Sequence, residues 1–263
     1  ARQQIARLAA VERFRRHCRA FAPVLGPACD DQSRGGIQQY CVAIGAGCAA
    51  EQGFESLKTK AGSDMQEDLE MVRGVRDAVG MQLKLRIDPN RAYSPEEGAE
   101  LGRRLEEYEL EYLEQPIPAE PLGDATKLRE QTSTPIALNE SVVDPASVWD
   151  ILHAGAAQFL LPDTHIAGGI WPCIQIGHLG HAAGIPCIMH CGHDLGPKTA
   201  AMLHVAGACP AYSLANDSTY FGLEDDVTKE PFVISRGRIA VPTTPVLGAE
   251  IDPGKLAHYA VEC

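Results

Sequence analysis

The sequence predicts an α/β protein, a closed (β/α)8 barrel of the TIM type, and three observations carry that expectation. Short apolar runs of strand length alternate with helical patterns along most of the chain. The polar residues that close these runs are Lys60, Asp88, Glu114, Glu140, Asp163, His190 and Asn216, which fall 28, 26, 26, 23, 27 and 26 residues apart, close to the ~30 residues of a strand–helix–strand unit. All seven stand at the C-terminal ends of their runs, the end of a parallel barrel that carries active sites.

Taken in order, residues 1–36 are expected to be an atypical basic segment. ARQQIARLAAVERFRRHCRA holds six arginines against one acid, Glu12. Ile5, Leu8, Val11 and Phe14 recur at steps of three, the thin apolar stripe of a surface helix. That reading is preferred to membrane contact or targeting, which a basic amphipathic start can also mark. FAPVLGPACDDQSRGG then reads as loop. Residues 37–250 are expected to form the barrel domain. Its strands are expected at 37–45, 54–62, 82–88, 109–114, 134–140, 157–163, 185–190 and 211–216. Helices fill the intervals: 63–80 with a Ser63 cap and a Gly80 stop, 94–108 with Ser94 at the N-cap and Pro95 in the first turn, then 121–131, 145–153, 170–183 and 196–207. FVISRGRIAV (232–241) reads as a hairpin turning at Arg236–Gly237. Residues 251–263 form a tail with a short helix near 253–260.

The totals narrow the function. A chain of 263 residues can bury a large core. The net charge of −12 argues against nucleic acid as a partner, and it means that an anionic substrate needs local cations. The nine cysteines form no CxxC pair and are odd in number, as expected of small apolar residues in a reducing cytoplasm. No apolar run approaches ~18 residues, and the start shows no signal-peptide pattern. The expectation is a cytoplasmic homo-oligomer that acts on a small molecule, without a membrane partner.

Three acids organise the chemistry. Asp88, Glu114 and Glu140 close successive runs at equal steps of 26 residues. Adjacent parallel strands lie ~4.8 Å apart, so three carboxylates can converge on one point. A hard divalent cation relieves their repulsion, and Mg²⁺ is the usual occupant. On the preceding strand, Lys58 and Lys60 face the same side. Two ammonium groups so near are expected to lower each other's pKa toward neutrality, which suits a general base. Asp163 and His190 close two later strands and are expected to pair, the acid fixing the imidazole tautomer.

The motifs LKTK, RIDPN, YLEQP, NES, PDTHIAGG and GIPCIMH, in this order over roughly residues 54–250, resemble the enolase superfamily, and within it the mandelate racemase subgroup. The resemblance implies a (β/α)8 barrel, or its (β/α)7β variant, under an α+β capping domain. By position it implies Mg²⁺ ligands at Asp88, Glu114 and Glu140. It makes Lys60 the base with Lys58 beside the substrate carboxylate, and it makes His190 with Asp163 a second acid–base pair. Asn90, Asn216 and Asp217 become candidates for binding substrate. A lysine in place of Asp163 would resemble the muconate cycloisomerases instead.

Three departures stand out. Residues 1–36 offer no counterpart to the cap, which is therefore expected to be absent or truncated. Only 14 residues separate Tyr40 from Phe54, a short first unit. Mandelate racemase itself carries a glutamate where Asn216 and Asp217 stand here. The implied activity is Mg²⁺-dependent removal of the α-proton of a carboxylate through an enediolate, as in dehydration of a sugar acid. The alternatives are a racemase or epimerase of an α-hydroxy acid, and an inactive barrel remnant lacking its cap. A hydrolase on the same barrel finds no support, since the chain has no G-x-S-x-G and no H-E-x-x-H.

Overall fold

The structure is a computed structural model that describes residues 24–25, 46–192 and 194–260. The helix expected at 1–20 and the strand expected at 37–45 lie outside the described residues. Six strands form one parallel sheet in sequence order: β1 (Val24–Leu25), β2 (Ser56–Lys60), β3 (Lys84–Asp88), β4 (Tyr112–Glu114), β5 (Ile136–Leu138) and β6 (Phe159–Leu160). β1 falls in a stretch read as loop because Pro23 and Gly26 bracket it; its two apolar residues pair with Lys58 and Thr59. Lys60 lies opposite Asp88 in the β2–β3 pairing, which sets the two side chains next to each other at the C-terminal strand ends.

Each helix starts and stops where local chemistry allows. α1 (Met65–Val79) is capped by Asp64, whose carboxylate accepts from the N–H groups of Gln66 and Glu67; the expected cap, Ser63, is one residue too early to reach them. Gly80 stops it, as expected. α2 (Pro95–Arg104) opens on a capping box between Ser94 and Glu97 with Pro95 in its first turn. α3 (Leu122–Glu130), α4 (Pro145–Ala154), α5 (Ile170–Ala183) and α6 (Gly196–Ala208) follow. β7 (Ile234–Ser235) and β8 (Arg238–Ile239) make the expected hairpin, with Arg236 and Gly237 both at positive φ as a tight two-residue turn requires. α7 (Pro253–Tyr259) comes last, and no described helix is long and apolar enough to cross a membrane.

Two expected strands take another form. Residues 185–190 contribute only one bridge, Leu160 to Cys187, because Pro186 removes a donor beside it. Residues 211–216 form no strand. Cys187 N–H still donates to Ala211 O, and Asp217 N–H to Met189 O. Between these bonds the Asn216 side chain takes the place of backbone, its Oδ1 accepting the Met189 N–H at 2.7 Å. The segments therefore continue the sheet order without a regular ladder.

The strands separate two kinds of surface. Leu57, Leu85, Ile87, Leu113, Ile136, Leu138 and Leu160 face the helices and form the main core with residues such as Val72, Leu101 and Ile176. The opposite face holds a smaller cluster of Tyr112, Ala137, Leu161 and Ile188, with Phe159 and Leu214 packed against it. On this same face lie Lys58 and Arg86, both buried.

Candidate active site and metal centre

Asp88 and Glu114 are the last residues of β3 and β4, and both are fully buried. Asp88, Glu114 and His190 offer ligand atoms that all lie within 4.8 Å of one another. Glu140 does not join this group. Its Oε1 pairs with Arg91 Nε at 3.2 Å, while its Oε2 is buried without a hydrogen-bond partner. The convergence expected of three carboxylates is thus met by two, with an imidazole as the third. β5 ends at Leu138, two residues before Glu140, so that side chain springs from the loop rather than the strand.

The two carboxylates of this group suit a hard divalent cation. Outside the group, the buried Oε2 of Glu140 is left without a hydrogen-bond partner, a costly state that a nearby cation would relieve. Burial pushes the Glu114 carboxyl up to about 7, with Asp88 adding to the rise and Lys58 opposing it. A cation at this point would remove that conflict.

Lys58 is the hub of the buried charges. Its Nζ donates to Glu114 Oε2 at 3.0 Å and to Asp217 Oδ2 at 2.7 Å, and lies 3.8 Å from Asp88. The expectation that Lys58 would titrate near neutrality is overturned. Burial draws its pKa down, but Asp217 and Glu114 outweigh that and hold it well above the ordinary lysine value. Lys60 Nζ sits on Asp88 Oδ2 at 2.5 Å and on Asn90 Oδ1 at 2.9 Å. Asn90 is itself fixed by donating its N–H to Asp88 Oδ1.

Across the Asp88–Glu114 pair stands His190. Its Nδ1 is 3.1 Å from Asp163 Oδ2, and its Nε2 is 3.6 Å from Glu114 Oε1. Asp163 is shared: Lys198 Nζ lies 2.9 Å from its Oδ1, and the His165 N–H donates to the same oxygen. Burial raises the Asp163 carboxyl, but these bonds from His190, Lys198 and His165 hold it far below the usual range.

Of the substrate-binding candidates, Asn90 is exposed at the rim. Asn216 spends its amide oxygen on Met189, and Asp217 is buried between Lys58 and Arg86. A buried carboxylate repels a substrate carboxylate, so Asp217 serves here as an anchor for cations.

Sequence reasoning missed four residues. Arg86 sits two before Asp88 on the same strand face, and the period of two could have shown it. Its guanidinium reaches Glu111, Asp217 and Ala215 O, and lies 4.9 Å from the Tyr112 ring centroid. Gln115 follows Glu114 with φ 33°, and its Oε1 accepts from the N–H groups of Asn139 and Ser141, tying the ends of β4 and β5. Arg91 and Lys198 lie beyond the strand ends, in a loop and in the first turn of α6, where no pattern marks them.

The model of the family described as Enolase C-terminal domain-like matches residues 43–255. An arabinonate dehydratase of Saccharolobus solfataricus is 31% identical over 210 residues, covering 80% of this chain and 56% of that protein. The crystal structure of an isomerase from Streptomyces coelicolor superposes with a TM-score of 0.82 at 29% identity, covering 90% of this chain and 64% of the other. A dipeptide epimerase from Cytophaga hutchinsonii, complexed with Mg and D-Ala-L-Val, gives a TM-score of 0.79 at 26% identity, covering 84% and 60%. The chain spans about half the length of the curated relatives it matches. An α/β fold with a parallel sheet, a family model that matches residues 43–255 and the likeness to these relatives together make this chain a member of the mandelate racemase and muconate lactonizing branch of the enolase superfamily.

Proposed function

We propose that the chain carries the catalytic part of an Mg²⁺-dependent enzyme that removes the α-proton of a small carboxylate, in the dehydration of a sugar acid. What supports this reading is that two groups able to transfer a proton, Lys60 and His190, both border one acidic pair. Lys60 reaches that pair through Asp88, and His190 reaches it through Glu114. Asp88, Glu114 and Glu140 would hold the cation, and Mg²⁺ when bound would stabilise charge on the substrate's carboxylate oxygens as the proton leaves.

The protein's own groups do the rest. Lys58, fixed as a cation, orients the substrate carboxylate. Asn90 holds Lys60, whose Nζ, as the neutral amine once its own proton has left to solvent, accepts the α-proton. Asp163 fixes the His190 tautomer, leaving Nε2 directed at the substrate. An imidazolium there protonates the β-hydroxyl, and water leaves with the electrons of the broken C–O bond. The arabinonate dehydratase among the relatives supports dehydration as the leading reading.

Racemisation or epimerisation is the second reading, and the dipeptide epimerase likeness favours it. It needs the same two groups to serve opposite faces. The reading also includes closure of the sheet into a barrel of residues 37–250, between a basic segment and a C-terminal tail. Arg86 of β3 reaching Ala215 O, and Lys58 of β2 reaching Asp217, support it, because they join the start of the sheet to its last segment.

The test is a panel of sugar acids and α-hydroxy acids in D₂O with Mg²⁺, followed by NMR. Elimination with one deuterium taken up supports dehydration; deuterium uptake with inversion supports epimerisation. Metal binding without exchange on any member would overturn both. In the active case, Lys60→Ala is expected to stop exchange from one stereoisomer and His190→Asn from the other. Loss of the same isomer's exchange in both variants would leave His190 as a leaving-group acid alone.

A further inference from the structure

Each of the three acids proposed as metal ligands has its own cation. Lys60 pairs with Asp88 at 2.5 Å, Lys58 with Glu114 at 3.0 Å and Arg91 with Glu140 at 3.2 Å. Two of these cations have work at the substrate under the proposed function. Arg91 has none. Its side chain is 53% exposed, yet its backbone is held in a costly shape. Asn90 and Arg91 have φ of 49° and 64°, left-handed values that side chains seldom adopt. Asn90 N–H donates to Asp88 Oδ1 and Arg91 N–H to Gln115 O, and these bonds keep the loop in place. The loop directs Asn90 toward Lys60 on one side and Arg91 toward Glu140 on the other.

We infer that Arg91 is a positioning residue that sets how tightly the site holds its metal: it occupies one oxygen of Glu140, leaves the other for the cation, and opposes that cation with its own charge. The inference rests on Glu140 being a ligand. The two oxygens support the division, since Oε1 is taken by Arg91 and Oε2 is buried without a partner.

Two effects of Arg91 oppose each other. Holding Glu140 in place favours binding, but a single contact from a half-exposed side chain orients weakly. A positive charge near a divalent ion disfavours binding and acts over a longer range. The charge effect therefore wins. Removing it is expected to tighten Mg²⁺ binding by roughly three- to ten-fold at low salt, less as salt screens it.

The experiment is calorimetric titration of the whole chain with Mg²⁺ alone, repeated with Mn²⁺ by electron paramagnetic resonance. Arg91→Met should lower the dissociation constant, and Arg91→Lys, which keeps the charge, should leave it near that of the parent. Melting temperatures establish that the variants are folded. Glu140→Gln should weaken binding. If Glu140→Gln leaves affinity unchanged, the ligand reading itself fails. If Glu140→Gln weakens binding while Arg91→Met does not tighten it, the ligand reading stands and this inference is overturned. Equal tightening by Arg91→Lys and Arg91→Met would also overturn it, because shape rather than charge would then be responsible.

Discussion

Asp217 holds two buried cations, Lys58 at 2.7 Å and Arg86 at 3.0 Å, and all three side chains are 2% exposed. Burial raises its carboxyl, but those two cations outweigh it and keep the group ionised. Removing one partner of such a set leaves uncompensated charge, so Asp217→Ala is expected to destabilise by about 3–5 kcal/mol. Denaturant unfolding measures it, and a loss under about 1 kcal/mol would mean that water reaches Lys58 and Arg86 freely. Such ties were hidden in the sequence. The strand-end positions of Asp88 and Glu114 were legible, because strand period fixes where a short side chain goes, whereas Asp163 lies three residues beyond β6 and His190 on a segment that forms no regular strand. Arg86, Arg91 and Lys198 were not, because long flexible side chains choose partners on other elements, 131 residues away in the case of Arg86 and Asp217. Glu140 shows the same limit: spacing placed its Cα, and Arg91 decided its oxygens.

At the scale of elements, the start of α6 is held by Asp226. Its Oδ1 accepts from the N–H groups of Gly196 and Val227, and its Oδ2 from the hydroxyls of Tyr220 and Thr228. Burial raises this carboxyl, but bonds from Thr228, Gly196, Tyr220 and Val227 bring it below its ordinary value. A carboxyl lowered in the folded state adds stability above its unfolded pKa of ~3.9 and loses it as pH falls further. Asp226→Asn is thus expected to cost about 1–3 kcal/mol at pH 7 and to flatten the loss of stability below pH ~4. A variant with the parent's full acid sensitivity would count against this account. α6 also carries Lys198 toward Asp163, so the same variant should disturb the His190 pair. Helix limits were the most legible part of the fold, because caps are local chemistry. The last two strands were misread because Pro186 and the Asn216 side chain interrupt a ladder that apolar patterning alone suggested.

At the scale of the molecule, the proposed metal binding would be coupled to folding. Asp88, Glu114, Lys58 and Asp217 come from four separate segments, and a cation that binds only when they are assembled stabilises the whole. Mg²⁺ at 100 times its dissociation constant should add about 2.7 kcal/mol, seen as a rise in melting temperature that a chelator reverses. No rise at saturating Mg²⁺ would show that the site is not coupled to the fold. The pleat has a further consequence for how the chain finds its shape. Sliding β2 by one residue against β3 would turn Lys58 and Lys60 into the apolar layer under the helices and bring Leu57 and Thr59 among the acids. Misassembled forms of that kind would carry unpaired charge in an apolar layer, which is costly. The groups proposed for the chemistry would thus count against wrong registers while the chain folds.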